Sequence, residues 1–490
     1  MHPSSVRSAH LLLPALGLLL AEPRGAAATV TGRVTDAVTG SPIPCRLYLE
    51  RDNGTPLSPL IADPQGSAVR YERRNWVNPG AQEVHSTLSA HPWRAELEPG
   101  TYRVIVERGK EYRPLVREFR VGDEPVQLEL PLQRWIRMDA LRWYGGDTHV
   151  HRSLAELPNL LLAEDLNVAL PLTYWTTRAG EAPAAGDKTR QEDASAPAQL
   201  IRVDDTHVIW PRNTEYEIFS VGGTNHTLGA LFLLNHRTAF TRGVPPWSPV
   251  AAQARDEGAL LDMDKLDWPF AFMLPPVTGA TLYELANNHM WRTAFGFTQW
   301  VSAAPPYLQP PYGGRSGNER DWTLYTHGMY HTLLNAGFRV VPTAGTASGV
   351  HPVPLGFSRV YVHLPQGFSY EAWIDGLARG RSFVTTGPML LATVNDRQPG
   401  EEFAQPAEPR TYRVAGRVVS EHPLAFLEVL HNGIPVRTLM PRNSPTPEGA
   451  HETAFSTELT LAESGWLAVR CWEDRPAGRF RWAHSAPWHV

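Results

Sequence analysis

A chain of 490 residues with 42% hydrophobic and 19% charged residues has the material for about three packed domains, at roughly 100–200 residues each. Its net charge of −5 leaves no basic footprint, which argues against nucleic acid as a partner. The 44 prolines and 16 tryptophans point to many turns, and to aromatic-rich cores or sugar-facing surfaces.

Residues 1–28 read as an export signal. Arg7 and His10 precede the apolar run from Leu11 to Leu20, and Ala26-Ala27-Ala28 supplies a small-residue cleavage pattern. The run is shorter than the roughly 20 residues a spanning helix needs, and no later stretch is long and apolar enough to cross a bilayer. The expectation is therefore an exported protein, periplasmic or secreted, without a transmembrane segment. Cys45 and Cys471 are the only cysteines; their spacing leaves open whether they pair or stay as buried thiols, and two alone exclude a cysteine-based zinc site.

Residues 29–134 have β texture. Val30-Thr31-Gly32-Arg33-Val34 and Cys45-Arg46-Leu47-Tyr48-Leu49 alternate around the turn cluster Asp36-Ala37-Val38-Thr39-Gly40. Leu97-Glu98-Pro99-Gly100 feeds a strand through Val106, and Val126 to Leu130 forms another. The opening V-x-G-x-V-x-D-x-x-T-G-x-P-I and the closing L-x-P-G-x-Y resemble the carboxypeptidase regulatory-like β-sandwich, which implies a module with no chemistry of its own. The insert from Asn53 to Trp93 reads as a surface excursion in preference to a cover over a neighbouring site.

From 135 to 397 helix-like and strand-like pieces alternate. Leu157 to Leu166 and Tyr370 to Arg379 read as helices, the second stopped by Gly380. Asn167 to Thr173, Gly229 to Asn235 and Arg359 to Leu364 read as buried strands, so an α/β domain with parallel strands, plausible as a barrel, is expected. After Gln398 the texture is again β: residues 398–490 carry alternating runs at Thr411 to Val419, Phe426 to Leu430 and Trp466 to Trp472, with a hairpin signal at Asn432-Gly433. A second small sandwich is expected there.

The chemistry centres on Tyr144-Gly145-Gly146-Asp147-Thr148-His149-Val150-His151-Arg152. Side chains alternate along a strand, so Asp147, His149 and His151 fall on one side. Two imidazoles fixed there can bind one metal ion, and the carboxylate can complete the shell or orient a ring from behind. This stretch, with Ala163 to Ala169, Glu284-Leu285-Ala286-Asn287-Asn288-His289, Ala344 to Val350 and Gly380 to Pro388, resembles PHP (polymerase and histidinol phosphatase) metallohydrolases, and more closely their exported CehA/McbA-type members. The resemblance implies an α/β fold: a distorted PHP-type β/α barrel flanked by N- and C-terminal β-sandwich domains, holding divalent ions at its strand ends.

Carried over by position, His149 and His151 match the H-x-H motif, and Glu217 with His226 matches a glutamate and G-H element in which Glu215 competes for the glutamate role. Thr173-Tyr174-Trp175 stands where T-D-H belongs, and Ala347 and Gly349 replace the closing D-x-H. The candidate metal shell is His149, His151, Glu217 and His226, with Asp147 beside it and zinc or manganese as the ion. Asp264 as a base or ligand, Lys265 as an oxyanion partner and His289 as a proton donor are the candidate catalytic residues, with Asp262 a further acid. His327 and His331 share a helical face but lack the glutamate of H-E-x-x-H, so packing is expected of them. Neither a phosphate-binding glycine loop nor a G-x-S-x-G elbow is present.

Two functions follow as expectations. The first is an exported metal-dependent hydrolase acting on a phosphoester, or on an ester or carbamate of a small molecule. The second is a catalytically degenerate relative serving as a glycan-binding or scaffold module, favoured by the substitutions at Tyr174, Trp175, Ala347 and Gly349.

Overall fold

A computed structural model describes residues 26–75, 78–188, 190–191, 196–225, 228–265, 271–290, 292, 319–404 and 408–490. Most of the export signal read at 1–28 lies outside these residues, and so does His226.

The N-terminal region forms two facing sheets. One has four strands in the order 126–132, 28–36, 93–97, 60–61, and the other has six, with 68–74, 82–88, 45–51, 100–107 and 115–121 in sequence across it. Alternation accounts for the packing: Val30, Leu47, Trp93, Val104 and Leu130 point inward and make the core. Cys45 lies in this core and Cys471 in the C-terminal one, both buried and both free.

The remainder departs from the α/β expectation. The described residues are 45% strand and 14% helix, and their sheets are open, with no closed barrel among them. A β/α barrel needs parallel strands, each returned by a crossover helix. Here antiparallel neighbours take that place: Trp143–Val150 pairs antiparallel with Arg359–His363, Thr214–Val221 with Ala230–Leu234, and Ala230–Leu234 with Leu260–Asp264. Apolar runs such as Ala230–Leu234 are buried on both faces, as a central strand of any sheet would be, so the run itself does not encode strand direction.

An eleven-stranded sheet carries the H-x-H strand Trp143–Val150 between Val168–Pro171 and Arg359–His363. It then continues through Ser382–Thr385 into the C-terminal strands Phe480–Ser485, Trp466–Asp474 and Phe426–His431. The stretch near Gln398 is therefore spanned by one continuous sheet, against which a four-stranded sheet packs around Tyr412, Val418, Leu427 and Val469. A nine-stranded sheet carries Tyr174–Arg178, Thr214–Val221, Ala230–Leu234, Leu260–Asp264, Leu282–Ala286 and Val341–Ala344 in that spatial order. The two large sheets approach where Thr148 donates to the Ala344 carbonyl at 3.2 Å and Val150 bridges to Ser348. That junction places the functional cluster.

Helices are few. Leu157–Glu164 ends on Asp165 in the left-handed region, and Tyr370–Ala378 begins on Ser369, whose side chain accepts from the Ala372 N–H at 3.1 Å. Trp373 of the second helix lies where a Cβ on Gly146 would be, and its indole N–H donates to the Tyr144 carbonyl at 3.0 Å. Gly146, just before Asp147, thus lets a tryptophan close over the strand.

Candidate metal centre

His149 and His151 are buried at the junction, with their Nε2 atoms 3.1 Å apart. Two nitrogens bound to one tetrahedral zinc at 2.0–2.1 Å would stand about 3.3 Å apart, so this spacing suits shared coordination. Phe232 packs on the His149 ring at 4.4 Å between centroids and fixes its plane. Gly345 is required beside it, because a Cβ there would overlap the His149 Cβ.

The carboxylate nearest both rings is Glu215. Its Oε2 lies 3.4 Å from His151 Nε2, and its Oε1 lies 4.0 Å from His149 Nε2. Glu217 is two residues on, on the same face of Thr214–Val221, but it is bound by two ammoniums: Lys188 at very short range and Lys265 at 3.1 Å. The competition within the pair goes to Glu215 on proximity, and Glu217 serves as a counter-ion to lysines.

Behind His149 stands a second group of acids. Glu284 accepts from His149 Nδ1 at 3.0 Å, and Asp264 Oδ2 is 4.0 Å from the same nitrogen. Buried His, Asp and Glu groups that could hold a metal ion are therefore His149–His151–Glu215 and His149–Asp264–Glu284, sharing one imidazole. With Glu284 ionised, as a cation within the cluster would keep it, the carboxylate accepts the Nδ1 proton and Nε2 is the nitrogen left to bind, which favours the first group as ligands and Glu284 as the carboxylate that orients the ring. Glu284 belongs to a motif singled out in the sequence, but its role there was not assigned; the strand Leu282–Ala286 brings it across from a distance of 135 residues.

The donor set fits a divalent ion. Buried polar atoms without a hydrogen-bond partner converge here: His151 Nδ1, Glu215 Oε2, Asp262 Oδ1 and Asp264 Oδ1. Burial, followed by the neighbouring Asp264 and Asp262, pushes Glu284 well above the usual carboxylate range, and burial raises Asp262 to about 8 and Glu215 to about 7. Burial together with Lys265 and Lys188 holds His149 far below the ordinary histidine range, as a neutral ligand must be. Carboxylates crowded out of water are stabilised by a cation placed among them.

The other expected residues separate by role. Asp147 does not face the rings as strand alternation suggests. Its Oδ1 accepts from His149 N at 3.1 Å and Thr346 N at 3.2 Å; its Oδ2 accepts from Thr346 Oγ1 at 2.6 Å and Gly356 N at 3.0 Å. It thereby ties the ligand strand to the loop 345–356. Asp264 and Lys265 are sequence neighbours that meet at 2.6 Å, because Lys265 adopts φ +61° and breaks the strand's alternation. Burial acts to raise Asp264, but Lys265 outweighs it and keeps the carboxyl below its usual range. His289 packs on Trp322 at 4.7 Å and bonds Asn287 at 3.1 Å; burial, then Lys265, brings it to about 3, so it is a neutral hydrogen-bonding group and no reservoir of protons at neutral pH. Tyr174 faces His236, at 6.3 Å between ring centroids.

The insert from Asn53 to Trp93, read as a surface excursion in preference to a cover over a neighbouring site, also contributes here. Its strand Ala68–Arg74 reaches the site: the Tyr71 hydroxyl accepts from Gly349 N at 2.9 Å and donates to the His351 carbonyl, and Arg73 Nε donates to the Gly349 carbonyl at 2.6 Å. The expected surface excursion is therefore a brace on the loop beside the ligands. His351 in turn takes a hydrogen bond from Asn288 at 2.7 Å.

Known proteins add little beside this geometry. No family model matches the chain, and no curated protein matches it. Among solved structures, the phospholipase PlaB from Legionella pneumophila aligns over 24% of this chain and 27% of that chain, at 18% identity and a TM-score of 0.13. An alignment so loose and so short carries no argument about fold or chemistry.

Proposed function

We propose that the chain is an exported metal-dependent hydrolase, related in its motifs to the PHP metallohydrolases, that cleaves a phosphoester or an ester or carbamate of a small molecule. The observation behind this reading is the convergence of His149, His151 and Glu215 at 3.1–4.0 Å, with orphaned polar atoms around them. Zinc or manganese suits two imidazoles and one carboxylate with a coordination position left open. Such an ion, when bound, polarises the scissile group and makes water a competent nucleophile near neutral pH.

The protein's own groups hold the rest of the site. Glu284 fixes the His149 tautomer, and Asp147 holds the ligand strand to the loop. Lys188, 2.7 Å from Glu215, and Lys265, 2.6 Å from Asp264, place two ammoniums where they can balance negative charge developing on a substrate oxygen. The interior position of the cluster keeps their field strong. Among the described residues no helix is long and apolar enough to cross a membrane.

Elemental analysis of the purified mature chain, before and after incubation with Zn²⁺ or Mn²⁺, tests the reading. One ion per chain is expected, lost in the His149→Ala plus His151→Ala double variant. A chain that takes up no stoichiometric transition metal overturns the hydrolase. Where metal is bound, aryl phosphates set against aryl esters and carbamates identify the bond cleaved, and turnover of none of them favours a binding module.

A further inference from the structure

A polar cavity of about 140 Å³ lies where the N-terminal sandwich, the central strands and the C-terminal strands meet. At about 30 Å³ per water this is room for several waters or one small ion. Six cationic side chains line it against four carboxylates, and two of the six also meet carboxylates outside the lining, Arg292 at 3.2 Å from Glu83 and Arg481 at 3.9 Å from Glu319. The carboxylates are already taken: Glu107 and Glu164 by Arg46, and Glu421 and Glu473 by Arg475.

Lys110 and Arg359 are different. Neither pairs with a carboxylate among the described residues. Lys110 Nζ donates to the Thr386 carbonyl at 2.9 Å, and the fully buried Arg359 donates to the backbone carbonyls of Gly356, Asp165 and Glu164 at 2.8–3.2 Å. An ammonium has three N–H groups, and Thr386 engages one of the three on Lys110. The Lys110 ammonium sits 3.9 Å from the centre of the Phe357 ring, and the Arg481 guanidinium sits 5.0 Å from the same ring. Two cations are thus gathered on one aromatic ring at the cavity wall, with a third behind them.

We propose that this cavity is a binding site for a small tetrahedral oxyanion, free phosphate or sulfate, held by Lys110 and Arg481 within the positive field of Arg359. A buried cation without a counter-ion is costly, and an anion supplied from solution removes that cost while accepting the remaining Lys110 N–H groups. The field has a visible consequence: burial, then Arg481, Arg359 and Arg46, holds the Lys110 ammonium well below the ordinary lysine range. The site also joins the three regions, because Lys110 comes from the N-terminal sandwich, Arg359 from the central sheet and Arg481 from the C-terminal strands. None of its lining residues is among the candidate metal ligands.

Calorimetric titration of the full chain, stripped of metal by a chelator so that the histidine cluster cannot draw phosphate through an ion, tests the site. Saturable binding of one phosphate or sulfate per chain is expected, about tenfold weaker in Lys110→Gln, the scale of one charge-assisted hydrogen bond. Acetate, planar and singly charged, is expected to bind more weakly than either. Absence of saturable binding by both tetrahedral anions overturns the proposal, and so does binding that Lys110→Gln leaves unchanged. Should that variant not fold, thermal unfolding of the unaltered chain decides: a higher midpoint in phosphate than in chloride at equal ionic strength supports the site, and equal midpoints overturn it.

Discussion

Two buried groups of histidines stand in this protein, and their surroundings differ. His149 and His151 sit among Glu215, Glu217, Asp262, Asp264 and Glu284, with Lys188 and Lys265 beside them. His327, His331 and His484 sit among Trp466, Trp472 and Trp482, and the nearby Glu428 is bound by Arg470 at 2.6 Å. In the second group the Ser485 carbonyl, an acceptor only, takes the His484 Nδ1 proton at 2.7 Å, so His484 Nε2 accepts from His331 Nε2 at 3.1 Å. Arg470 donates to His327 Nδ1 at 3.4 Å. One group gathers anionic donors around imidazoles; the other is a hydrogen-bonded clasp between the helix Glu319–Asn335 and the C-terminal strands. The number of histidines is not what separates them. The carboxylates are.

The largest effect expected from this contrast is a double dissociation. His149→Ala plus His151→Ala should lower metal affinity by about 100-fold or more, since outer-sphere changes alone already cost 10–100-fold. His331→Ala should leave metal content intact and lower stability by about 2–4 kcal/mol, through a core cavity and an unpaired His484 nitrogen. Metal titration and denaturant unfolding of the same preparations check both; loss of metal in the second variant would erase the distinction. Next in size is the choice between glutamates. Glu215→Gln should weaken metal binding by about 100-fold, and Glu217→Gln, which removes a partner of Lys188 and Lys265, by no more than about tenfold. Equal losses would mean that the ligand carboxylate is not the nearer one.

The clasp also makes a statement about pH. Burial depresses His484 from 6.5 to about 3, and it depresses His327 and His331 strongly as well. A histidine whose folded pKa is lowered stays neutral while the unfolded chain gains a proton, so stability is full above pH 6.5 and falls as pH falls from 6.5 towards 3. His484 alone should contribute about 2 kcal/mol of that loss between pH 6.5 and pH 5, at 1.36 kcal/mol per unit. Unfolding midpoints followed across this range in the chain and in His484→Gln check it: the variant, less stable at neutral pH, should show a shallower decline.

Much of the local structure could be read from residues alone. Helix Tyr370–Ala378 stops before Gly380 as the glycine indicates, and the hairpin at Asn432-Gly433 joins Phe426–His431 to Ile434–Leu439. His149 and His151 were legible because a two-residue spacing on a strand is a local fact. Strand direction was not, because Ala230–Leu234 is apolar on both faces whichever way its neighbours run. Nor was the candidate ligand glutamate: Glu215 and Glu217 share a face and both bind Lys188, so only Lys265 on Glu217 and the imidazole beside Glu215 tell them apart. Glu284 and Tyr71 act across 135 and 278 residues, separations at which spacing carries no information. The positive φ at Lys265, which turns an adjacent pair to one side, also left no mark in the pattern.

The smallest expected effect concerns Asp147, the residue that strand alternation assigned to the metal and the structure assigns to a loop. Its carboxylate is fully buried and accepts four hydrogen bonds, the shortest from Thr346 Oγ1 at 2.6 Å. Burial lifts it to about 6 against the pull of those donors. Thr346→Val keeps the shape and removes that one donor, leaving His149 N, Thr346 N and Gly356 N in place. The cost should be about 1–2 kcal/mol of stability and about tenfold in metal affinity, because the ligand strand loses part of its tie to the loop that Tyr71 braces. The histidine clasp, which shares no partner with Asp147, should keep its pH response unchanged. If affinity instead falls as far as in the double histidine variant, Asp147 belongs among the ligands and the division between strand and loop drawn here is wrong. If it does not fall at all, the loop is packing alone, and the metal centre is set by the two sheets without it.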